Sequence, residues 1–363
     1  MSFQLSAISF EMVSGTSLGQ LWKICRVLLP WGAGLVLLLG LAAPALAQTI
    51  DPRLRLPREF FRVQFVTPDR GWLLEGGRLL HTADGGQSWA VQRPPQYSDV
   101  GYRAMKEFQF LDAQHGWVLY VDGILHRTTD GGQTWQVVEV RPQIPREGSR
   151  PERLTTLERF TMVSPQVGFG LNENGDRALR TADGGQTWRT APLGPGNVDF
   201  TQVAFPTLRD GYAAARSGRL YRTTDGAQTW QALPATPIGF PVGMQFLTTA
   251  LGWIYDSTGQ RLYRTTDGGQ AWQACAPAPA KIRRFVFRSA TLGWAAASAN
   301  GIVLKTTDGC ATWQAIQTPA PQSEFFGISF ATDRDGWVVG DNDAALKTTD
   351  GGLTWTPVLV NVP

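Results

Sequence analysis

The phrase Asp-Gly-x-x-x-Trp occurs seven times in this chain, beginning at Asp84, Asp130, Asp183, Asp225, Asp267, Asp308 and Asp350. The intervals are 46, 53, 42, 42, 41 and 42 residues. Some 13 to 15 residues before each Asp stands a glycine followed by an aromatic: Gly71-Trp72, Gly116-Trp117, Gly168-Phe169, Gly211-Tyr212, Gly252-Trp253, Gly293-Trp294 and Gly336-Trp337. Of the 14 Trp, all 12 beyond residue 47 occupy these two slots, so the pattern is not an accident of composition. A fixed period of this length marks a repeated unit that buries its hydrophobic face only against its copies.

Each unit reads as four short strands; in the fourth they are 199–206, 211–216, 219–224 and 229–233. Strands of about six residues with tight turns fill roughly 40–45 residues, the length of a propeller blade. Seven such sheets packed radially cover one another's faces and leave only short edges. The expected fold is all-β, a seven-bladed β-propeller over residues 58–363. A linear solenoid is the alternative, disfavoured because the terminal units carry no polar caps.

The seven copies show what each slot requires. The residue after Asp is always Gly, whereas the next slot accepts Ala227 and Cys310. The first slot is therefore expected to need φ > 0 or room beside a backbone, and the second not. The Asp carboxylates are expected to be structural, accepting N–H groups of their own turn, with Trp anchoring the hairpin on the blade. Three residues before each Asp stands a basic side chain: His81, Arg127, Arg180, Arg222, Arg264, Lys305 and Lys347. These are read as structural too, with the stem on the blade and the head against a neighbouring turn.

The N-terminus reads as an export signal. Lys23 and Arg26 precede an uncharged run over residues 27–47 that ends in Ala45-Leu46-Ala47. A positive flank, an apolar core and a small-x-small ending mark a cleavable signal over 1–47. An uncleaved anchor is the alternative for a run of this length. Residues 48–57 form an N-terminal segment, and an insertion near 141–154 separates blades two and three. With Lys+Arg 33 against Asp+Glu 30, the chain lacks the basic excess of a nucleic-acid binder. Three Cys exclude a disulfide scaffold. Cys275 and Cys310 are expected as two free thiols in preference to a bond between adjacent blades.

The repeat resembles the Asp-box, Ser/Thr-x-Asp-x-Gly-x-Thr-Trp, with residues 181–188 as one full copy. A box in every unit, a Gly-aromatic pair before each and an export signal resemble the photosystem II assembly/stability factor family of chloroplasts and cyanobacteria. That resemblance runs from about residue 58 to the C-terminus. It implies a non-enzymatic luminal propeller that binds newly made photosystem II reaction-centre protein or its precursor. It further implies contact with other assembly factors through an Arg-rich surface. Gln48 follows the expected cut where cyanobacterial members often carry a lipid-anchored Cys. The expected location is the thylakoid lumen or periplasm, peripheral to the membrane, as a monomer without cofactor, metal or nucleic acid.

The alternative is a secreted glycoside hydrolase of sialidase-like type. That chemistry needs a Tyr nucleophile paired with Glu, an acid, and three Arg on the substrate carboxylate. The chain offers few Glu, and Phe61-Arg62-Val63-Gln64 is a poor match to the sialidase Phe/Tyr-Arg-Ile-Pro motif. No catalytic residue is assigned, and His81, His115 and His126 show no ligand spacing.

Blade topology places the turns between strands one and two, and three and four, on one face. Turns between strands two and three and the inter-blade links lie on the other. Arg177, Arg219 and Arg261 at the start of third strands, and Arg216 beside Arg219, reach that second face. Arg283 and Arg284 are expected in an inter-blade link on the same side, and Arg146, Arg150 and Arg153 in the insertion. Arg pairs with carboxylates by parallel hydrogen bonds, so this face is expected to bind an acidic or carboxylate-bearing segment.

Overall fold

The structure, a computed structural model, describes residues 59–92, 105–138, 156–172, 174–192, 198–298 and 300–361. The expected signal, the N-terminal segment, the insertion and its Arg146, Arg150 and Arg153 lie outside the described residues. The described residues form seven four-stranded antiparallel sheets, each a meander of consecutive strands. Blade one is β1 (Phe60–Phe65), β2 (Gly71–Glu75), β3 (Arg78–Thr82) and β4 (Ala90–Gln92). The inner strands of the other blades are β5 (Met105–Phe110), β9 (Leu157–Met162), β13 (Phe200–Ala204), β17 (Pro241–Phe246), β21 (Ile282–Phe287) and β25 (Phe325–Phe330). All seven second strands are buried along their whole length, as a sheet covered on both faces must be. Fourth strands are short and less buried, although Val138 and Ile316 are in the core; in the fourth blade the ladder reaches only Gln231–Ala232.

One interface, repeated around the ring, explains the sequence slots. The last residue of an inner strand stacks on the second-strand aromatic of the preceding blade: Phe110 on Trp72 at 3.5 Å, Phe287 on Trp253 at 3.8 Å, Phe330 on Trp294 at 3.6 Å. At three interfaces the second-strand Trp also donates its Nε1–H to the box glycine of the next blade, as Trp117 does to Gly184 O and Trp294 to Gly351 O, both at 2.9 Å. Ring closure uses the same parts. Phe65 stacks on Trp337 at 3.5 Å, and Trp337 Nε1 donates to Gly85 O at 3.2 Å. Blade seven therefore joins blade one through side chains, without a strand shared between them in the described residues. Val360, after the last strand, is buried in the same cluster.

Each Asp-box is a local device. Asp183 Oδ1 accepts Thr187 N at 2.9 Å, Asp183 Oδ2 accepts the Thr187 hydroxyl at 2.6 Å, and the Thr181 hydroxyl donates to Oδ1 at 2.8 Å. In Asp308 the same bonds hold the carboxyl near 2, well below its ordinary range. The basic side chains three positions earlier reach the next blade: Arg127 Nη1 donates to Asp183 O at 3.3 Å. His81 is too short for this, and Gln92 fills the place instead, its Nε2 donating to Gly131 O at 3.2 Å.

Two expectations need correction. Both glycine slots adopt positive φ, and Ala227 (φ 68°) and Cys310 (φ 85°) bear it without being glycine. What separates the slots is space. A methyl group at the first would stand 2.6 Å from Ala113 O in blade two and 2.5 Å from Ala290 O in blade six. The second slot faces a side chain of the preceding blade, which can give way. Second, Cys275 and Cys310 form a disulfide with Cα atoms 5.2 Å apart. Cys275 stands eight residues after its Asp and Cys310 two after the next. In the neighbouring interface the same two positions are Leu233 and Gly269, packed in contact. The bond replaces one apolar contact of the repeat.

His126 on β7 (Leu125–Thr128) is 2% exposed, its ring tilted on Tyr120 with centroids 4.8 Å apart. Burial pushes its pKa down to about 4. The unfolded chain takes up this proton near the ordinary value of about 6.5, the folded chain only near 4. Stability is therefore intact above pH 6.5 and falls by about 2–3 kcal/mol as the pH drops toward 4. His81, lowered by burial and by Arg70, adds in the same direction. Thermal midpoints across this window should flatten markedly in His126→Leu; an unchanged slope would assign the acid sensitivity elsewhere.

Candidate functional site: the Arg-lined channel mouth

The box glycines bond back to the turns between strands one and two, as Gly85 N does to Asp69 O at 2.8 Å and Gly131 N to Gln114 O at 2.8 Å. These two sets of turns share one face, and every inner strand starts at the opposite one. There each inner strand carries a register shift against its second strand, in all seven blades. A bulge leaves one residue unpaired and re-aims its neighbours. The unpaired residues are Phe61, Lys106, Glu158, Thr201, Val242, Arg283 and Phe326. The residues after them are Arg62, Glu107, Arg159, Gln202, Gly243, Arg284 and Gly327.

Arg284 is solvent-exposed, yet two other guanidiniums bear on it from the inner strands of blades one and three. Arg62, then burial, and Arg159 lower its pKa to about 10, with Glu107 opposing them. Blades one, two and three are neighbours, and the inner strand of blade six faces theirs across the central channel. The four side chains therefore lie within electrostatic reach of one another at the end of the channel opposite the Asp-boxes. Arg62 Nη1 lies 3.3 Å from Glu107 Oε2. Three guanidiniums against this one carboxylate leave a surplus of two positive charges. Like charges held this close favour an anion between them, because it relieves their repulsion.

The expected Arg positions divide. Arg284 joins this cluster, and both it and Arg283 lie on β21 rather than in an inter-blade link, because the inner strand begins at Ile282. Arg283 pairs with Glu324 at 3.1 Å and Arg216 with Asp199 at 2.5 Å, so each is partly neutralised. Arg219 stands 5.7 Å from the Tyr221 ring. Arg261 starts β19 (Arg261–Thr265) and is exposed, and Arg177 starts β11 (Arg177–Thr181), half-buried. Lys106 and Glu158 form an ion pair. Arg62 and Arg159 were missed from the sequence, where each reads as one more polar residue in a strand. The signal that could have found them is the third residue of every inner strand, aligned across the seven units.

The comparisons with known proteins follow this geometry. The family model described as photosynthesis system II assembly factor YCF48 matches residues 48–164, 154–307 and 276–362. The chain belongs to this family. The photosystem II assembly lipoprotein Ycf48 of Synechococcus sp. strain CC9902 is 28% identical over 131 residues, 36% of this chain. That match spans 35% of the relative's own length. A solved structure of YCF48 bound to a D1 peptide superposes with a TM-score of 0.63 at 20% identity, over 82% of this chain and 95% of the other. A virginiamycin B lyase from Staphylococcus aureus reaches 0.61 at 14% identity, over 80% and 94%. Structural likeness thus extends to an enzyme and carries the fold alone. Within the YCF48-family propeller described here, burial pushes the Tyr120 hydroxyl up to about 12 and raises Tyr212 and Tyr255. A nucleophilic phenol needs the opposite shift. Among the described residues no cluster of His, Cys, Asp and Glu could hold a metal ion.

Proposed function

We propose that this chain is an exported, membrane-peripheral, non-enzymatic assembly factor that captures an acidic segment of newly made photosystem II reaction-centre protein. Family membership supports the role, and the observation that carries the site is the Arg62–Glu107 ion pair at 3.3 Å with Arg284 and Arg159 drawn to the same end of the channel. Arg177, Arg216, Arg219, Arg261 and Arg283 extend the positive surface over the same face, as would Arg146, Arg150 and Arg153. Guanidiniums half-enclosed by protein keep their charge while their hydration is reduced, so a carboxylate entering the mouth gains paired hydrogen bonds. A ring of rigid sheets needs no rearrangement to present them, which lowers the entropy lost on capture.

The experiment is co-purification of photosystem II core subunits in mild detergent. Arg62→Glu with Arg284→Glu should lower capture by about 100- to 10,000-fold, the scale of two charge-assisted bonds. The thermal midpoint should stay within a few degrees, since the channel side chains carry little of the packing. Full capture by this variant at moderate salt would show that the channel mouth is not the site. Cleavage of a sialoside by the wild type would support the hydrolase alternative instead.

A further inference from the structure

The bulges also expose apolar side chains at the same mouth. Phe61 is 44% and Val242 41% exposed, and Phe61 stacks on Phe326 with ring centroids 6.1 Å apart, interplanar 13°. The pair bridges blades one and seven, beside the seam where the ring closes. The Arg283 guanidinium lies 5.9 Å from the Phe326 ring and ties the pair to the positive cluster. Gly327 and Gly243 follow two of the bulge residues, so blades seven and five present no side chain on either side of Arg284 at that level. A methyl group at Gly327 would stand 3.1 Å from Val63 N, so the backbone of blade one approaches closely there.

Most other inner-strand aromatics are buried, as Phe60, Phe108 and Phe325 are at 0–1% exposure, while Phe285 is half-buried. The exposed Phe61 ring against the half-buried Phe326 ring forms apolar surface that a docked side chain would cover. Their setting names the occupant. A purely apolar partner would leave the surrounding guanidiniums desolvated and unpaired, which is costly. A purely acidic one would leave the rings exposed. We infer that the Phe61–Phe326 pair is an apolar subsite of the channel mouth, taking one aliphatic side chain of a segment whose flanking carboxylates engage Arg62, Arg283 and Arg284. The inference rests on the proposed capture of an acidic segment and adds its specificity: charge brings the segment in, and the ring pair selects its register.

Calorimetric titration of the purified chain with two synthetic peptides tests this. One is a short peptide of aspartate, glutamate, glycine and serine bearing a single leucine; its twin has serine in that place. The wild type should bind the leucine peptide about tenfold more tightly, the scale of burying part of one aliphatic side chain. Phe61→Gln with Phe326→Gln should bind both twins equally, at the wild-type affinity for the serine twin, while Phe61→Leu keeps the preference. Phe61→Gln alone serves if the double variant melts early. Equal binding of the twins by the wild type overturns the subsite, and is also the result if residues preceding Phe60 cover the rings. A preference that survives both Phe replacements overturns it as well. Binding of neither twin by the wild type overturns the proposed capture itself, and the subsite with it.

Discussion

Replacing Cys275 and Cys310 together by serine should lower the unfolding free energy by about 3–4 kcal/mol, the chain-entropy value for a 35-residue separation. The two residues are 6% and 3% exposed, so serine also buries hydroxyls where an apolar contact stood. Wild type unfolded in urea with a strong reductant should match the serine variant. The repeat itself supplies a rescue. Cys275→Leu with Cys310→Gly rebuilds the Leu233–Gly269 arrangement of the preceding interface and relieves the positive φ at residue 310. That variant should recover roughly half of the loss, because packing returns and the cross-link does not. A serine variant as stable as the wild type would show that the neighbouring blades hold blades five and six together without the bond.

Gly131→Ala should cost about 3–4 kcal/mol, lowering the thermal midpoint by roughly 6–12 °C for a chain of this size. Two penalties act at once. Alanine at φ 74° pays about 1–2 kcal/mol against the carbonyl that follows it. Its methyl would also stand 2.6 Å from Ala113 O, a backbone atom of the turn that Gly131 N holds through Gln114 O. Relief therefore breaks the bond between the Asp-box and the first turn of its blade. Gly226→Ala is the internal control. Its φ of 73° is the same, but the nearest carbonyl, Leu208 O, is 3.2 Å away, so about half the effect is expected. Equal losses in both variants would mean that backbone conformation alone, not the close approach, keeps this slot glycine.

Much of the fold was legible because the Asp-box is a short-range structure. Every bond of Asp183 to Thr181 and Thr187 spans at most four residues, so the motif reports its turn wherever it is read. The 42-residue period gave the blade, and the Trp slots gave the layer on which blades pack. The sequence places Cys275 and Cys310 in adjacent blades without deciding between two free thiols and a bond. Cys275 and Cys310 occupy two repeat positions that approach across the blade interface, a fact visible only once Leu233 and Gly269 are seen in contact. Ala227 makes the second glycine slot look free of any φ requirement, whereas tolerance there reflects available space.

The sequence alone settled the all-β class, the number of blades, the face that carries the boxes and the side from which the third-strand arginines emerge. These follow from local hydrogen bonding and from the alternation of strand direction, neither of which needs distant contacts. Only the tertiary structure decided which charges share a site. Arg62, Arg159 and Arg284 belong to blades far apart in the chain, and they meet because closing the ring turns seven inner strands toward one axis. The bulge at the start of each strand then decides which side chain enters the lumen, and a one-residue register shift leaves no mark in composition or spacing. Convergence of like charge is a property of the closed ring, since no single blade brings two of these guanidiniums together.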